Sequence, residues 1–114
     1  MVISAKYIPD KNDIIWIDLN PTRGHEQSNT RPVLVLTPKE YNKILGLFVG
    51  CPITSKVKNY PFEVVIGEGK VKGVILADQV RSMDWKNRRP TFIQTASADV
   101  VKEVERNIKL LLLT

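Results

Sequence analysis

Short apolar runs separated by glycine, proline and asparagine fill most of this chain ahead of its C-terminal segment. Runs of this length, with turn-forming residues between them, are typical of all-β sandwiches and barrels. In the first run, Ile15, Ile17 and Leu19 alternate with other residues and therefore share one face of a strand. The run at 33–36 is apolar on both faces, which predicts a buried strand. The predicted strands are residues 14–19, 33–36, 47–53, 61–66, 73–77 and 91–95.

A short helix is predicted after the second strand. Thr37, Pro38 and Glu40 supply an N-cap, a proline at the first helical position and the third-residue acid of a capping box. The helix should run only to Asn42 or Ile44, so we interpret it as a connector between strands.

A second, amphipathic helix is predicted at the C-terminus. It opens at Ser97 and Asp99, and apolar residues then recur at spacings of three and four. Residues 110–113 are apolar beyond the width of that stripe, so either the sheet or a second subunit should cover them. The predicted stripe is Val101, Val104, Ile108 and Leu111.

The size and charge of the chain limit its class. Its 114 residues suit one domain, 1–114, with a core of its own. Hydrophobic residues at 43% and charged residues at 25% are the balance of a folded protein. A net charge of +5 favours a polyanionic partner such as nucleic acid or an acidic protein segment.

The single cysteine and single histidine exclude several functions. Cys51 and His25 together cannot supply the usual ligand set of a zinc site, so we predict no metal and no cofactor. Cys51 lies in an apolar run and is interpreted as a core residue suited to a reducing compartment. No stretch reaches the roughly 20 apolar residues of a membrane span, and we expect a cytoplasmic protein without a membrane partner.

The longest polar segment, residues 20–31, connects the first two predicted strands. Connections of this length in a small domain are often binding or active-site loops, although a solvated loop is the plain alternative. Its candidate functional residues are His25, Glu26, Gln27, Ser28, Asn29 and Arg31.

Several of these residue types suit metal-free RNA cleavage. In that reaction the 2′-hydroxyl attacks the adjacent phosphorus, so the site must accept a proton, donate one and stabilise a dianionic phosphorane. Glu26 can accept a proton, and Arg31 offers a fork of donors to phosphate oxygens but is a poor proton donor. Thr54, at the end of an apolar run, can present a hydroxyl to the same phosphate, and Ser55 and Lys56 extend that edge.

Other polar and aromatic residues admit two interpretations. Gln79 can contact a base edge through its amide or fix a turn by bonding to backbone. Trp16 and Trp85 are expected in the core or in an interface rather than under bases. The cluster Lys86, Arg88 and Arg89 is either a solvated basic turn or a phosphate-contacting rim.

Several segments, in this order, resemble the MazF and PemK family of toxins. The resemblance covers nearly the whole chain from about Tyr7, and the joint order of the segments is specific. Asn12 stands where the family usually has glycine. The matching segments are 12–16 (NDIIW), 21–27 (PTRGHEQ), 31–36 (RPVLVL), 41–42 (YN), 52–55 (PITS), 60–64 (YPFEV) and 73–80 (GVILADQV).

The resemblance implies a fold, an activity and a site. The fold would be mostly β with α: an SH3-like (PemK/CcdB-like) β-barrel with the connector helix and the C-terminal helix. The activity would be sequence-specific, ribosome-independent endoribonuclease cleavage of single-stranded RNA by a homodimer, with Arg31, Thr54 and Glu26 as catalytic residues. The predicted RNA-binding residues are His25, Gln27, Ser28, Asn29, Ser55, Lys56 and Gln79.

The implied partner is an antitoxin. Because the chain is basic, we expect the binding segment of that antitoxin to be acidic and disordered when free. Two alternatives stay open: a gyrase-poisoning toxin on the same barrel, which needs no catalytic trio, and a nucleic-acid-binding module without catalysis.

Overall fold

A computed structural model describes residues 6–19 and 30–113 of the chain. Within these ranges each predicted strand and both predicted helices are present. The elements are β1 (Asp13–Asp18), β2 (Thr30–Val35), α1 (Lys39–Leu45), β3 (Leu47–Thr54), β4 (Glu63–Val65), β5 (Val74–Leu76), a 3₁₀ turn (Ala77–Gln79), β6 (Arg81–Asp84), β7 (Thr91–Thr95) and α2 (Ala98–Leu113).

The strands form one antiparallel sheet in the order β4-β5-β3-β2-β1-β7, with β6 paired to β3 off this path. The C-terminal end of β3 pairs with β5, and its N-terminal half pairs with β6. The mostly-β fold with a connector helix and a C-terminal helix is therefore confirmed. The sheet is not closed among the described residues, because β4 and β7 remain at opposite ends of the path.

The central strands are buried on both faces. Ile14 and Ile15, which are consecutive in β1, both have no exposed surface and belong to different core clusters. Val101 and Val104 of α2 complete the cluster on the Ile14 side. A core cluster therefore lies on each face of the central strands, as the doubly apolar run at 33–36 predicted.

The second cluster lies on the Ile15 side and contains Ile17, Val33 and Phe48. Leu19 packs partly buried against it, which confirms that Ile15, Ile17 and Leu19 share a face. Trp85 also belongs to this cluster.

The predicted N-cap of α1 is wrong. Pro38 occupies the cap position without a side-chain cap hydrogen bond. The Thr37 hydroxyl instead donates to Asn42 Oδ1 (2.7 Å) and accepts the Val49 amide (3.0 Å), so it joins α1 to β3. The helix ends at Leu45 because Gly46 adopts the left-handed conformation, with φ of 70°.

The C-terminal stripe is confirmed only in its first part. Val101 and Val104 are buried, but Leu111 is 41% exposed, and Leu110, Leu112 and Leu113 are exposed as well. The sheet therefore does not cover the end of α2. No helix within the described ranges is long and apolar enough to cross a bilayer.

The turn before β1 contains Asn12 with φ of 79°. This left-handed backbone favours glycine, and asparagine is among the few other residues that adopt it readily. The geometry explains why asparagine can stand at a position where the family resemblance led us to expect glycine.

Candidate nucleic-acid interface

The sheet register brings Arg31 and Thr54 together. In the antiparallel pair of β2 and β3, Val33 lies opposite Pro52 and Val35 opposite Gly50. Continuing this register by two residues places Thr54 opposite Arg31, so the two side chains leave the same face of neighbouring strand ends. Both residues line the same cavity.

This first cavity has a volume of about 450 Å³. Its walls come from β1, β2, the end of β3 and the loop between β4 and β5. The lining residues are Trp16, Thr30, Arg31, Pro32, Ile53, Thr54, Ser55, Lys70, Val71 and Lys72.

Two smaller cavities continue from the same point. One of about 230 Å³ is lined by Arg31, Thr54, Ser55 and Lys56 among others. Another of about 160 Å³ is lined by Thr54, Lys56, Lys58, Tyr60, Glu63, Leu76 and Gln79. Thr54 lines all three, and we call the combined depression the Thr54 trough.

The Thr54 hydroxyl has a defined hydrogen-bonding role. Its oxygen accepts the backbone amide of Lys56 at 3.1 Å, which orients the side chain within the strand end. A hydroxyl that accepts in this way keeps its own hydrogen for donation. Thr54 is thus suited to donate to an oxygen of a bound anion.

The neighbouring backbone is packed tightly against Thr54. Gly73 has φ of 118°, and a Cβ built there would lie 2.2 Å from the Thr54 carbonyl oxygen. Only glycine allows this close approach of β5 to the end of β3.

The trough is strongly cationic. Its walls include five basic residues, Arg31, Lys56, Lys58, Lys70 and Lys72, and a single acidic residue, Glu63, among the described residues. The Glu63 carboxylate accepts the backbone amides of Lys58 (2.9 Å) and Asn59 (2.8 Å). The cations thus face the trough with little opposing charge, which is the electrostatic footprint of a polyanion site.

Gln79 borders the smallest cavity beside Lys56, at the end of the 3₁₀ turn. The adjacent Asp78 accepts the Tyr60 hydroxyl at 2.8 Å. Burial and this hydrogen bond raise the pKa of Tyr60 to about 12.

The structure thus brings five of the predicted site residues to one trough: Arg31, Thr54, Ser55, Lys56 and Gln79. The other predicted residues lie outside the described part of the chain. These are His25, Glu26, Gln27, Ser28 and Asn29.

Two tryptophans have different environments. Trp85 is buried as predicted, and its indole N–H donates to the Asn42 carbonyl at 2.9 Å. Trp16 is 42% exposed and lines the first cavity, so of its two predicted places, the core or an interface, the core is excluded. An exposed aromatic ring in a cationic cavity can stack on a base.

The basic cluster near Trp85 is partly structural. The Arg88 guanidinium donates to the Asp18 carbonyl at 3.0 Å, and the Arg88 carbonyl accepts the Asp18 amide at 2.9 Å. Arg88 therefore ties the turn before β7 to the end of β1. Lys86 and Arg89 do not line the trough.

Lys70 and Lys72 are trough residues that the sequence did not reveal. They lie in a loop without a recognisable motif, and only the sheet topology brings that loop to Arg31. Within the described ranges no three histidine, cysteine, aspartate or glutamate side chains group as metal ligands do.

A small basic β-protein with a cationic trough at its strand ends has the features of a nucleic-acid-binding protein. Comparison with known proteins is more specific. Residues 10–112 match the model of the PemK-like, MazF-like toxins of type II toxin–antitoxin systems. The chain belongs to this family.

Individual relatives agree with this assignment over almost the full chain. The endoribonuclease toxin MazF of Escherichia coli (strain K12) is 40% identical over 108 residues, covering 95% of this chain and 97% of the relative. The crystal structure of MazF (Form-I) from Deinococcus radiodurans is 44% identical, with a TM-score of 0.85, and covers 96% of this chain and 100% of that one. A MazE-MazF crystal structure (Form-II) from the same organism is 41% identical, has a TM-score of 0.84, and covers 94% and 97% of the two chains.

Proposed function

We propose that this chain is the toxin of a toxin–antitoxin pair, a sequence-specific, ribosome-independent endoribonuclease that cleaves single-stranded RNA without a metal ion. The observation that carries the proposal is the convergence of Arg31 and Thr54 on a trough lined by lysines. The endoribonuclease activity named for the 40% identical relative supports the same reaction. Its substrate is messenger RNA, so the proposed place of action is the bacterial cytoplasm.

The nucleophile in the proposed reaction is the 2′-hydroxyl of the RNA. It attacks the adjacent phosphorus, its proton passes to a base, and the bond from phosphorus to the 5′-oxygen breaks as that oxygen gains a proton. The products are a 2′,3′-cyclic phosphate and a 5′-hydroxyl.

The proposed roles follow the chemistry of each side chain. Arg31 stabilises the equatorial oxygens of the phosphorane with its fork of N–H donors. Thr54 donates its free hydroxyl hydrogen to the same phosphate, while Lys56 fixes the hydroxyl through its backbone amide. Glu26, outside the described residues, is the proposed proton acceptor.

RNA contacts are proposed on both sides of this pair. Ser55, Lys56 and Gln79 border the smaller cavities and would contact the strand on one side. Bases must be splayed out of a helix to be read on their edges, so duplex RNA should be spared. The loop residues His25, Gln27, Ser28 and Asn29 are proposed contacts as well.

Cleavage of a single-stranded RNA in EDTA tests the proposal. Arg31→Ala and Thr54→Val should each lower the rate by about 10² to 10³, the usual cost of losing a donor to developing negative charge. Thr54→Ser keeps the hydroxyl and should retain most of the activity. Arg81→Ala, an exposed arginine of β6 outside the trough, is the matched control.

The identity of the product ends and of the nucleophile completes the test. A substrate with deoxyribose at the cleavage position should bind and stay intact. Cleavage of that substrate, a metal requirement, or full activity of Arg31→Ala would each refute the mechanism. Binding of RNA without cleavage by the wild type would favour a non-catalytic nucleic-acid-binding module, and neither binding nor cleavage would favour a gyrase poison.

We propose a homodimer for this toxin. The support is the exposed end of α2, where Leu112 and Leu113 border an apolar depression with Leu36, Val49 and Val80. Burial of such a patch by a second copy would remove apolar surface from water.

We also propose an antitoxin of the MazE type, by analogy with the MazE-MazF crystal structure. Its binding segment should be acidic, disordered when free, and seated over the Thr54 trough, where it excludes RNA. Inhibition should weaken as salt increases, because the attraction is electrostatic. An antitoxin that binds without impeding cleavage would contradict this.

A further inference from the structure

The loop of residues 67–73, which we call the Lys70 arm, contributes Lys70, Val71 and Lys72 to the wall of the first cavity. It joins β4 to β5, and its base is closed by a hydrogen bond from the Ile66 amide to the Gly73 carbonyl (3.2 Å). Val71 is buried in the core cluster that also contains Ile14, whereas Lys70 and Lys72 on either side of it are exposed. The arm is therefore anchored at its centre and presents two cations at the cavity.

One side chain of another strand holds this arm in place. Gln94 of β7 accepts the backbone amides of Lys70 (2.7 Å) and Val71 (3.1 Å) through Oε1. Its Nε2 donates to the Glu68 carbonyl at 3.1 Å. Three hydrogen bonds from one amide thus fix the backbone on both sides of Gly69.

The fit between the arm and Gln94 is close. Gly69 has φ of 101°, and a Cβ built there would lie 2.2 Å from Gln94 Nε2. A register shift in the pairing of β1 with β7 follows Ile14, which pairs with Gln94. Irregularities of this kind redirect side chains at sheet edges. Because Gly69 has no side chain, the Gln94 amide can pack directly against its backbone.

The dimensions of the cavity indicate what the arm contacts. Its volume of about 450 Å³ lies within the range of small-ligand pockets and suits a single nucleotide. Arg31 and Thr54 line it from the ends of β2 and β3, the two lysines line it from the arm, and Trp16 lines it from β1. A nucleotide that stacks on Trp16 and has one phosphate at Arg31 would have its other phosphate at the arm.

We infer that Lys70 and Lys72 form a second phosphate subsite, which binds the RNA phosphate next to the one that is cleaved, and that Gln94 is the positioning residue of this subsite. The inference rests on the proposed function for the identity of the polyanion. The subsite supplies affinity and strand register, and the chemistry stays with Arg31 and Thr54.

Steady-state cleavage at several salt concentrations measures the charge contribution. Lys70→Met and Lys72→Met should each raise KM about two- to fivefold at low salt with kcat nearly unchanged. Each should reduce the slope of log KM against log salt concentration by about 0.7, the counterion release per phosphate contact on a single strand. Lys102→Met, an exposed lysine of α2 away from the trough, should change neither quantity.

A neutral methylphosphonate in the substrate identifies the phosphate. It should replace the phosphate on the 5′ side of the scissile one in one RNA and on the 3′ side in another. On one of these two RNAs the effect of Lys70→Met and Lys72→Met should disappear, because the lysines have lost their ligand. If the lysine variants raised KM by the same factor on all of these substrates, the assignment of the phosphate subsite would be overturned.

Gln94 is tested through its dependence on the lysines. Gln94→Leu should raise KM in the wild-type background and add nothing to the Lys70→Met, Lys72→Met double variant, as expected for a residue that acts through them. A purely structural role would lower kcat or add the same factor in both backgrounds, and either result would overturn the positioning role.

A pair of glycine variants separates this contact from backbone strain. Gly69→Ala and Gly67→Ala both place a side chain at positive φ, but only the first meets Gln94; at Gly67 nothing lies within 4 Å of the added Cβ. KM should rise for Gly69→Ala alone. Equal KM values for the two variants would count against the contact between Gln94 and the Lys70 arm.

The outcomes distinguish the inference from the proposed function. If the wild type cleaves RNA and the lysine variants match it at every salt concentration, only the subsite is refuted. If the wild type neither binds nor cleaves single-stranded RNA, both are refuted.

Discussion

Cys51 lies in the middle of β3 opposite Leu34, with no exposed surface, and its thiol is surrounded by core side chains. Burial, with a smaller contribution from the negative charge of Asp78, raises the pKa of Cys51 from 9.0 to about 12. The thiol is therefore protonated and unreactive at neutral pH, as the sequence predicted for a core cysteine.

This shift predicts a pH dependence of stability. The folded state holds the thiol proton more tightly than the unfolded state, so the stabilisation is complete below pH 9 and is lost as the pH rises from 9 towards about 12. In that window the free energy of unfolding of Cys51→Ala should fall less steeply than that of the wild type, by up to about 1.4 kcal/mol per pH unit. Urea unfolding between pH 8 and 11 measures both slopes, and parallel curves would contradict the assignment.

Single residues of the trough differ in how far the sequence predicts them. Arg31 can be predicted because it precedes an apolar strand, and Thr54 because it follows one. Both also lie in segments that resemble the family. Gln94 cannot, since an amide within an edge strand is indistinguishable from a solvated residue until the fold brings the Lys70 arm beside it. Trp16 is not in the core because strand alternation turns it to the face opposite Ile15 and Ile17, where it lines the first cavity.

At the scale of elements, α1 owes its position to one buried asparagine. Asn42 has no exposed surface; its Nδ2 donates to the carbonyls of Pro9 (2.7 Å) and Thr37 (2.9 Å), and its Oδ1 accepts the Thr37 hydroxyl. Its own carbonyl accepts the Trp85 indole. One helical residue thus joins the segment before β1, the segment between β2 and α1, and the residue that follows β6.

Removal of this amide should destabilise the protein. Asn42→Ala leaves buried polar groups without partners, at about 1–3 kcal/mol for each group. Asn87→Ala removes a single exposed contact of 3.3 Å to Asp84 and should change stability by less than about 0.5 kcal/mol. Thermal unfolding of both variants measures the difference. Similar melting temperatures would show that water replaces the hydrogen bonds of Asn42.

Element boundaries were predicted where the apolar pattern was regular. β6 was missed because Arg81–Asp84 contains one buried residue, Met83, among polar ones, which gives no alternation to detect. The cap of α1 was mistaken because Thr37 uses its hydroxyl for a contact with β3, and a capping pattern in sequence carries no information on that competing tertiary bond.

For the whole molecule, the exposed end of α2 predicts self-association. Leu112 is 66% exposed and Leu113 is 74% exposed, beside an apolar depression. Sedimentation of the wild type at micromolar concentration should give a dimer, and Leu112→Lys should shift it towards monomer by placing a charge in the patch.

The matched control is Leu45→Lys, at a leucine of α1 that is 51% exposed and outside the depression. This variant should remain dimeric. A monomeric wild type, or equal dissociation of both variants, would exclude the end of α2 as the interface.

The charge of +5 predicted a polyanion site without locating it, and the family segments located only part of the trough that the structure shows. The trough gathers residues from β1, β2, β3 and the Lys70 arm, and their proximity depends on strand pairings over long separations. Among the described residues the same pairings leave β4 and β7 at opposite ends of the path, so the predicted mostly-β fold is present with its sheet not closed.

The pairing of β1 with β7 also sets the order in which the wall of the first cavity can form during folding. The two strands are far apart in the sequence, yet Ile14 pairs with Gln94 in the sheet. The same Gln94 side chain holds the Lys70 arm through hydrogen bonds to Glu68, Lys70 and Val71. The arm can therefore be held in place only after this long-range pairing has formed, which makes it one of the slow-forming parts of the fold.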